Sequence, residues 1–147
     1  MTIELRRLRA EETAAAAALH RRAAALIPGY PNDLHTPAED RDYYAEQVFA
    51  RGPIWGAWAD GQLIGHMAVS PGWIDHLYVA TERQGAGIGR TLVRHAQAEQ
   101  PGLQLWTFQS NARARRFYAA LGFAEVEWTD GHGNEEGMPD VRLEWRR

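Results

Sequence analysis

Three glycines at alternate positions, between a β-rich segment and a helical one, constrain this chain most strongly. They lie in the segment 77–92, LYVATERQGAGIGRTL. Its first three residues are apolar and β-favouring, which predicts the end of a buried strand. From Ile88 onward apolar residues recur at helical spacing, which predicts an amphipathic helix. Gly85, Gly87 and Gly89 lie where the loop meets this helix, so backbone N–H groups there can converge on one anion. We therefore predict a phosphate-binding turn at a strand-to-helix junction.

The spacing of these glycines separates the known kinds of phosphate loop. A dinucleotide fingerprint starting at Gly85 would need a glycine at position 90, which is Arg90. A Walker loop ends in Gly-Lys-Ser/Thr, and this sequence has no lysine. The pattern Gln/Arg-x-x-Gly-x-Gly does fit, from Gln84 to Gly89, and it resembles the acyl-CoA pyrophosphate loop of the GNAT superfamily of N-acetyltransferases. A glycine-rich turn that only begins a helix remains the structural alternative for this motif taken alone.

A second motif supports the same resemblance. Residues 111–123, NARARRFYAALGF, have the pattern Asn-x-x-Ala-x-x-Phe-Tyr-x-x-x-Gly-Phe, which is similar to the second conserved block of GNAT enzymes. Asn111, Ala114 and Tyr118 are three or four residues apart and share one face of the predicted helix. The two motifs together imply an N-acetyltransferase that moves an acetyl group from acetyl-CoA to a primary amine of a small molecule or peptide by direct attack. The alternative is a non-catalytic acyl-CoA-binding sensor or regulatory module, against which Tyr118 and Asp75 argue.

The order of predicted elements, β-α-α-β-β-β-α-β-α-β-β, is also the GNAT order. It implies an α/β (α+β) fold with a single mixed, mostly antiparallel sheet of six to seven strands, flanked by about four helices. Residues 1–147 are predicted to form a single domain, because this length suits one compact core. Helix boundaries are signalled by Thr36-Pro37-Ala38-Glu39, a capping sequence, and by Gly122 after the last helix. Asp60-Gly61 predicts a tight hairpin between two strands.

Composition and net charge argue against several kinds of partner and site. A formal net charge of −3 and a pI of about 6.1 argue against a nucleic-acid partner. The sequence has no cysteine, which excludes disulfides, thiolate metal sites and a cysteine nucleophile, and we expect no metal. No apolar run approaches membrane-spanning length and the first residues lack an apolar signal core, so we expect a cytoplasmic protein without a membrane partner.

The resemblance also implies which residues hold acetyl-CoA. The pyrophosphate would lie on the loop, and the pantetheine arm would pair with the backbone of Leu77 and Val79 as an added strand. Asn111 would contact the cofactor near that arm and Tyr118 would face the sulfur. The cofactor-binding residues predicted in this way are Leu77, Tyr78, Val79, Gln84, Gly85, Ala86, Gly87, Ile88, Gly89, Arg90, Asn111 and Tyr118.

The resemblance implies two catalytic roles as well. Tyr118 is predicted to be the acid that serves the departing thiolate, since a tyrosine with pKa near 10 is protonated at neutral pH. Asp75 is predicted to be the base or to bind the substrate cation, because period-2 alternation would put it on the sheet face of Leu77 and Val79. His76 has a better intrinsic pKa but is predicted to point to the opposite face, and a bound water in place of a single base stays open.

The acceptor site is predicted from aromatic and polar residues near the first two helices and the strand ends. The candidates are Tyr30, His35, Trp55, Trp73 and Asp75. The acidic loop with Asn134, Glu135 and Glu136 either borders this pocket or is a plain solvated loop, and we predict the solvated loop. A homodimer is predicted through the terminal strands, which carry Trp128 and Trp145.

Overall fold

The computed structural model describes residues 2–147, which form one seven-stranded sheet with helices on both faces. The strands are β1 (Glu4–Arg7), β2 (Ile54–Ala59), β3 (Gln62–Ser70), β4 (Trp73–Val79), β5 (Gly102–Phe108), β6 (Ala124–Trp128) and β7 (Asp140–Arg146). The helices are α1 (Thr13–Ala24), α2 (Pro37–Tyr43), α3 (Phe49–Arg51), α4 (Ile88–Glu99) and α5 (Ala112–Ala120). A π-helical turn, Tyr44–Val48, joins α2 to α3, so these two form one continuous helical segment. Short 3-10 turns occupy Ala10–Glu12 and Thr81–Arg83.

The sheet has the strand order β1-β2-β3-β4-β5-β7-β6. Every neighbouring pair is antiparallel except β4 and β5, which are parallel. The predicted fold class, a mixed and mostly antiparallel sheet with four helical segments, is therefore confirmed. The parallel strands β4 and β5 are joined by a single residue pair, Trp73 with Gln104, which makes theirs the weakest junction in the sheet.

Local sequence signals account for the boundaries of these elements. Thr36 accepts a hydrogen bond from the backbone N–H of Glu39 at 3.1 Å, and the Glu39 carboxylate accepts one from the backbone N–H of Thr36 at 2.7 Å. This capping box starts α2, as the sequence predicted. Asp60 and Gly61 have φ values of 51° and 75°, the left-handed conformation that a two-residue hairpin turn requires.

The two sheet faces carry different cores. The face covered by α4 and α5 is apolar and includes Ile64, Leu92, Leu103 and Val141. The face covered by α1 and the π-helical turn includes Ala16, Tyr44 and Ala68, and it also buries polar rings such as His66. A ligand at the centre of the sheet therefore meets apolar side chains on one face and polar rings on the other.

The two tryptophans of the terminal strands differ in environment. Trp128 on β6 is 57% exposed, whereas Trp145 on β7 packs against the main core beside Phe123. The exposed aromatic surface therefore rests on Trp128 and not on Trp145, and homodimer formation stays a prediction. Within residues 2–147, no helix has the length and apolar character needed to cross a membrane.

Candidate active site

A gap opens in the middle of the sheet where β4 and β5 separate. The two strands share their one bridging pair, Trp73 with Gln104, near their starts. On its other side β4 stays paired with β3 through Val79. The backbone of Leu77 and Val79 therefore lacks a neighbouring strand on the β5 side, which is the geometry that a pantetheine arm added as a strand would require.

The glycine loop follows β4 directly and leads into α4. Gly85 and Gly87 have φ values of 87° and 83°, which residues with a side chain rarely adopt. A Cβ built on either glycine would meet no described atom within 4 Å, so both face open space. The first N–H groups of α4 also lie here, and together with the helix dipole they favour an anion. The loop thus has the shape and polarity of a pyrophosphate cradle.

Gly89 has a different physical role. A Cβ on Gly89 would lie 3.2 Å from Cζ of Phe117 and 3.6 Å from Cγ2 of Val79. A side chain at this position would therefore meet the packing between α4, α5 and β4, and not the open space beside Gly85 and Gly87. Gly89 permits close packing and shapes the loop indirectly.

These parts line one cleft of about 390 Å³. It runs between the end of β4, the glycine loop and α5, and Ala23 and Ile27, from α1 and the turn after it, close its other side. Of the predicted cofactor residues, all but Ala86 line this cleft: Leu77, Tyr78, Val79, Gln84, Gly85, Gly87, Ile88, Gly89, Arg90, Asn111 and Tyr118. Ala86 instead donates its backbone N–H to the carbonyl of Arg83 within the turn, at 3.3 Å. Sequence reasoning missed Arg113, which also lines the cleft and adds positive charge on α5.

Asn111 serves the fold and borders the cleft at once. Its Oδ1 accepts a hydrogen bond from the backbone N–H of Ala114 at 3.1 Å, so it caps α5. That bond uses only the carbonyl of the side chain. The amide NH₂ remains for a ligand in the cleft that Asn111 lines.

Tyr118 lies in the floor of the cleft and is 7% exposed. Its ring packs edge-on against Phe117 and Phe123, with centroids 5.0 and 5.4 Å away. Burial raises the pKa of Tyr118 above its usual value, so the hydroxyl stays protonated at neutral pH. The side chain can donate a hydrogen bond into the cleft without ionising.

A β-bulge changes the geometry predicted for Asp75. Ala68 pairs with His76 and Val69 pairs with Ile74, so Asp75 has no residue opposite it on β3. Alternation stops at such an extra residue. Ile74 and Leu77 are three positions apart and would lie on opposite faces of a regular strand. Because of the bulge, Ile74 instead packs in the main core together with Leu77 and Val79. The alternation that was expected to put Asp75 on the face of Leu77 and Val79 is therefore interrupted at Asp75 itself. Asp75 does not line the cleft, and its catalytic role stays a prediction.

His76 lies on the α1 face, opposite Leu77. Its Nε2 is 3.0 Å from the hydroxyl of Tyr43, and its ring contacts those of His20 and Tyr44. Burial lowers the pKa of His76 to about 4, an effect that the nearby Asp75 carboxylate only partly opposes. His76 is therefore neutral at physiological pH and engaged with a tyrosine, which makes it a poor base.

A second, smaller cavity of about 170 Å³ lies on the α1 face. Two of the predicted acceptor residues, Tyr30 and His35, line it together with His20, Arg21 and Asp40, whereas Asp75 does not. Arg21 holds its rim, donating to Asp40 at 2.7 Å and to the carbonyl of His35 at 3.0 Å.

The two predicted acceptor tryptophans line neither cavity. The ring of Trp55 packs against His95 of α4, with centroids 4.2 Å apart, and is therefore on the opposite face of the sheet. Trp73 lies at the start of β4, at the bridge to β5. Composition does not tell which sheet face a strand residue occupies, because residues on a strand alternate between faces. A role for Trp55 or Trp73 at the acceptor stays a prediction.

The acidic loop between β6 and β7 approaches the second cavity. Glu135 pairs with Nε2 of His35 at 3.0 Å, which raises the pKa of that histidine. Burial raises the pKa of Glu136. Burial also raises the pKa of Tyr30, and the nearby Glu136 adds to that shift. The expectation of a plain solvated loop is therefore wrong in part, because contacts distant in sequence bring this loop to the cavity rim. Among residues 2–147, no cluster of three or more His, Asp or Glu is arranged to hold a metal ion.

Comparison with known proteins agrees with this geometry. Residues 50–125, more than half of the chain, match the acetyltransferase (GNAT) domain family. The chain is similar to the peptidyl-lysine N-acetyltransferase YiaC of Escherichia coli, with 32% identity over 108 residues that span 71% of this chain and 68% of YiaC. It is also similar to the solution structure of apo-form YjaB from Escherichia coli, with a TM-score of 0.78 and 26% identity over 99% of this chain and 98% of that one.

A third similarity shows the fold alone, at 15% identity. It is to yncA, a putative acetyltransferase from Salmonella typhimurium whose structure holds its cofactor acetyl-CoA, with a TM-score of 0.75 over 99% of this chain and 94% of that one. Taken together, the cleft and the family match identify the chain as a member of the GNAT acetyltransferase family. It is an acyltransferase.

Proposed function

We propose that this chain transfers the acetyl group of acetyl-CoA directly to a primary amine, with the side-chain amine of a peptide lysine as the acceptor. One observation carries the proposal: a single cleft brings together the glycine loop, the unpaired edge of β4 and the hydroxyl of Tyr118. The names of relatives such as YiaC, a peptidyl-lysine N-acetyltransferase, favour lysine among primary amines.

The residues present fit acetyl-CoA at both of its ends. Gly85 and Gly87 leave open space beside the N-terminus of α4, and Arg90 and Arg113 add cations that suit phosphate oxygens. The backbone of Leu77 and Val79 can pair with the amide groups of a pantetheine arm. Bound there, acetyl-CoA supplies an activated thioester near Tyr118.

Tyr118 acts on the sulfur by donating a hydrogen bond. An ordinary tyrosine has a pKa of about 10 and a thiol one of about 8.5, so complete proton transfer to the thiolate costs roughly 2 kcal/mol. Burial raises the pKa of Tyr118 and so raises this cost. We infer that Tyr118 stabilises the charge that develops on sulfur, and that protonation of the thiol is completed late.

The acceptor amine must be neutral to attack, and no side chain named at the cleft suits the task of a strong base. His76 is neutral and bonded to Tyr43, and Asp75 lies in the bulge outside both cavities. Desolvation lowers the pKa of an ammonium group that enters a buried site. We infer that the amine releases its proton to solvent as it enters from the side of the second cavity.

The test is an acetylation assay with matched acceptors. A peptide with one free lysine and a blocked N-terminus is compared with the same peptide whose lysine side chain is already acetylated, and with small primary amines. Released CoA and the mass of the peptide are both measured. We expect acetyl transfer to the free lysine only. Tight acetyl-CoA binding without transfer to any amine would instead favour the sensor or regulatory module.

A further inference from the structure

The α1 face of β4 carries a cluster of six polar rings that the proposed reaction leaves unexplained. We call it the ring cluster; it consists of His20, Tyr43, Tyr44, His66, His76 and Tyr78. Hydrogen bonds tie most of its members to one another. Tyr44 Oη lies 2.7 Å from Nδ1 of His20 and 2.9 Å from Nε2 of His66, and Tyr43 Oη lies 3.0 Å from Nε2 of His76.

Tyr78 is the exception in this cluster. Its ring stacks on His20, with centroids 4.1 Å apart and planes at 23°. Its hydroxyl makes no hydrogen bond to any residue within 2–147. This hydroxyl is not fully buried, in contrast to Nδ1 of His66, which is buried and has no partner among these residues. The ring is therefore held by stacking while its hydroxyl is not fully buried, and Tyr78 is one of the residues that line the cleft.

The stacked pair of Tyr78 and His20 marks the boundary between the two cavities. Tyr78 lines the larger cleft together with Tyr118, and His20 lines the smaller cavity together with Tyr30. Tyr118 packs in the core cluster that also contains the side chains of Leu77 and Val79, whereas Tyr78 belongs to the opposite face of β4. Tyr78 therefore belongs to the larger cleft while its stacking partner belongs to the smaller cavity, which puts Tyr78 on the side of the cleft nearest that cavity.

Both rings at this boundary are uncharged at neutral pH. Burial raises the pKa of Tyr78, and the nearby Tyr30, Tyr118 and Glu136 add to that shift. Burial lowers the pKa of His20 to about 3, and His76 adds to that shift. A neutral phenol can accept one hydrogen bond and donate another, so Tyr78 can hold a neutral amine without trapping it as a cation.

We propose, resting on the proposed acetyl transfer to an amine, that Tyr78 is a second catalytic tyrosine, which orients the acceptor. Its hydroxyl oxygen accepts a hydrogen bond from an amine N–H and directs the nitrogen lone pair toward the acetyl carbon. The bond that forms joins this nitrogen to the carbonyl carbon, and the bond that breaks joins that carbon to sulfur. Nitrogen releases one proton and sulfur takes up one, and Tyr78 keeps its own. Tyr118 serves the sulfur and Tyr78 the nitrogen, from opposite faces of β4.

The test compares Tyr78→Phe with Tyr43→Phe. Each removes one hydroxyl from the ring cluster and keeps the ring, but Tyr43 lines neither cavity. Measured quantities are kcat/KM for the acceptor, the Kd of acetyl-CoA, the thermal midpoint, and the slow hydrolysis of acetyl-CoA without amine. Because the Tyr78 hydroxyl has no hydrogen-bond partner within residues 2–147, Tyr78→Phe is expected to fold normally.

We expect Tyr78→Phe to lower kcat/KM for the acceptor by about tenfold, the effect of one lost hydrogen bond. Acetyl-CoA is expected to pair with the backbone of this stretch of β4, which the substitution keeps, so acetyl-CoA affinity and the amine-independent hydrolysis should stay unchanged. Tyr43→Phe should keep the wild-type kcat/KM. An equal fall in hydrolysis and transfer would place Tyr78 on the sulfur side and overturn the proposal, as would wild-type kcat/KM in Tyr78→Phe. If the wild type itself transfers acetyl to no amine, the proposed function fails first and this role fails with it.

Discussion

Tyr118→Phe separates a catalytic tyrosine from a structural one. The substitution keeps the ring between Phe117 and Phe123 and removes only the hydroxyl. No hydrogen bond to that hydroxyl is found within residues 2–147, and it faces the cleft. The free energy of unfolding should therefore change by no more than about 1 kcal/mol.

The expected effect on turnover is much larger. Loss of a general acid typically costs about 10²-fold in rate, which corresponds to about 2.7 kcal/mol of transition-state stabilisation. Since burial raises the pKa of Tyr118, its hydroxyl does not ionise near neutral pH. The ratio of wild-type to variant kcat should therefore stay constant from about pH 6 to 9.

The assay measures CoA release at saturating acceptor, together with the Kd of acetyl-CoA by calorimetry and the thermal midpoint of both proteins. Acetyl-CoA affinity should barely change, because we expect the phosphates to bind at the glycine loop and not at Tyr118. Wild-type kcat in a folded Tyr118→Phe variant would refute the reasoning and return Tyr118 to the core. A loss of kcat matched by a similar loss of folded protein would also count against a catalytic role.

Three further perturbations address the cofactor site and the fold. Gly87→Val should weaken acetyl-CoA binding, as measured by calorimetry. Gly61→Val places similar backbone strain in an open hairpin turn and should leave that affinity unchanged. Equal affinities in the two variants would contradict a pyrophosphate cradle at Gly87. Asn111→Asp keeps the oxygen that caps α5 but loses the NH₂ group, so thermal stability should hold while acetyl-CoA affinity falls severalfold; unchanged affinity would make Asn111 a cap only. Hydrogen bonds from Arg6 and from the backbone N–H of Arg9 lower the pKa of Glu12 to about 2, below its ordinary 4.5. Its stabilisation is therefore present above pH 4.5 and lost as the pH falls toward 2, and denaturant titrations of Glu12→Gln should show a shallower loss of stability over that range than the wild type.

Local signals predicted most of the fold because each acts within a few residues. The capping box at Thr36, the hairpin turn at Asp60-Gly61 and the glycine after α5 all specify backbone geometry where they occur. The lining of the larger cleft was predictable for the same reason, since the glycine loop and Asn111 each begin a helix that faces it.

The acceptor side was predicted poorly because it depends on contacts between distant segments. The bulge at Asp75 is visible only from the register of β3 against β4, and it changes which residues of β4 share a face. His35 and Glu135 are 100 positions apart, yet they meet at the rim of the second cavity. The ring cluster likewise takes its members from α1, the helical segment after it, β3 and β4.

The single bridge between β4 and β5 divides the sheet into two blocks, each formed by strands that are consecutive in sequence. Strands β1–β4 form one antiparallel block and β5–β7 the other, and within residues 2–147 one bridging residue pair, Trp73 with Gln104, joins them across the seam. A ligand whose amides bond to β4 along this seam would add hydrogen bonds where β4 lacks a neighbouring strand, and so would stabilise the centre of the sheet. Its binding free energy then adds to the free energy of unfolding, by about 2.7 kcal/mol when the free ligand is at 100 times its Kd. We therefore expect the thermal midpoint of this enzyme to rise with the concentration of acetyl-CoA.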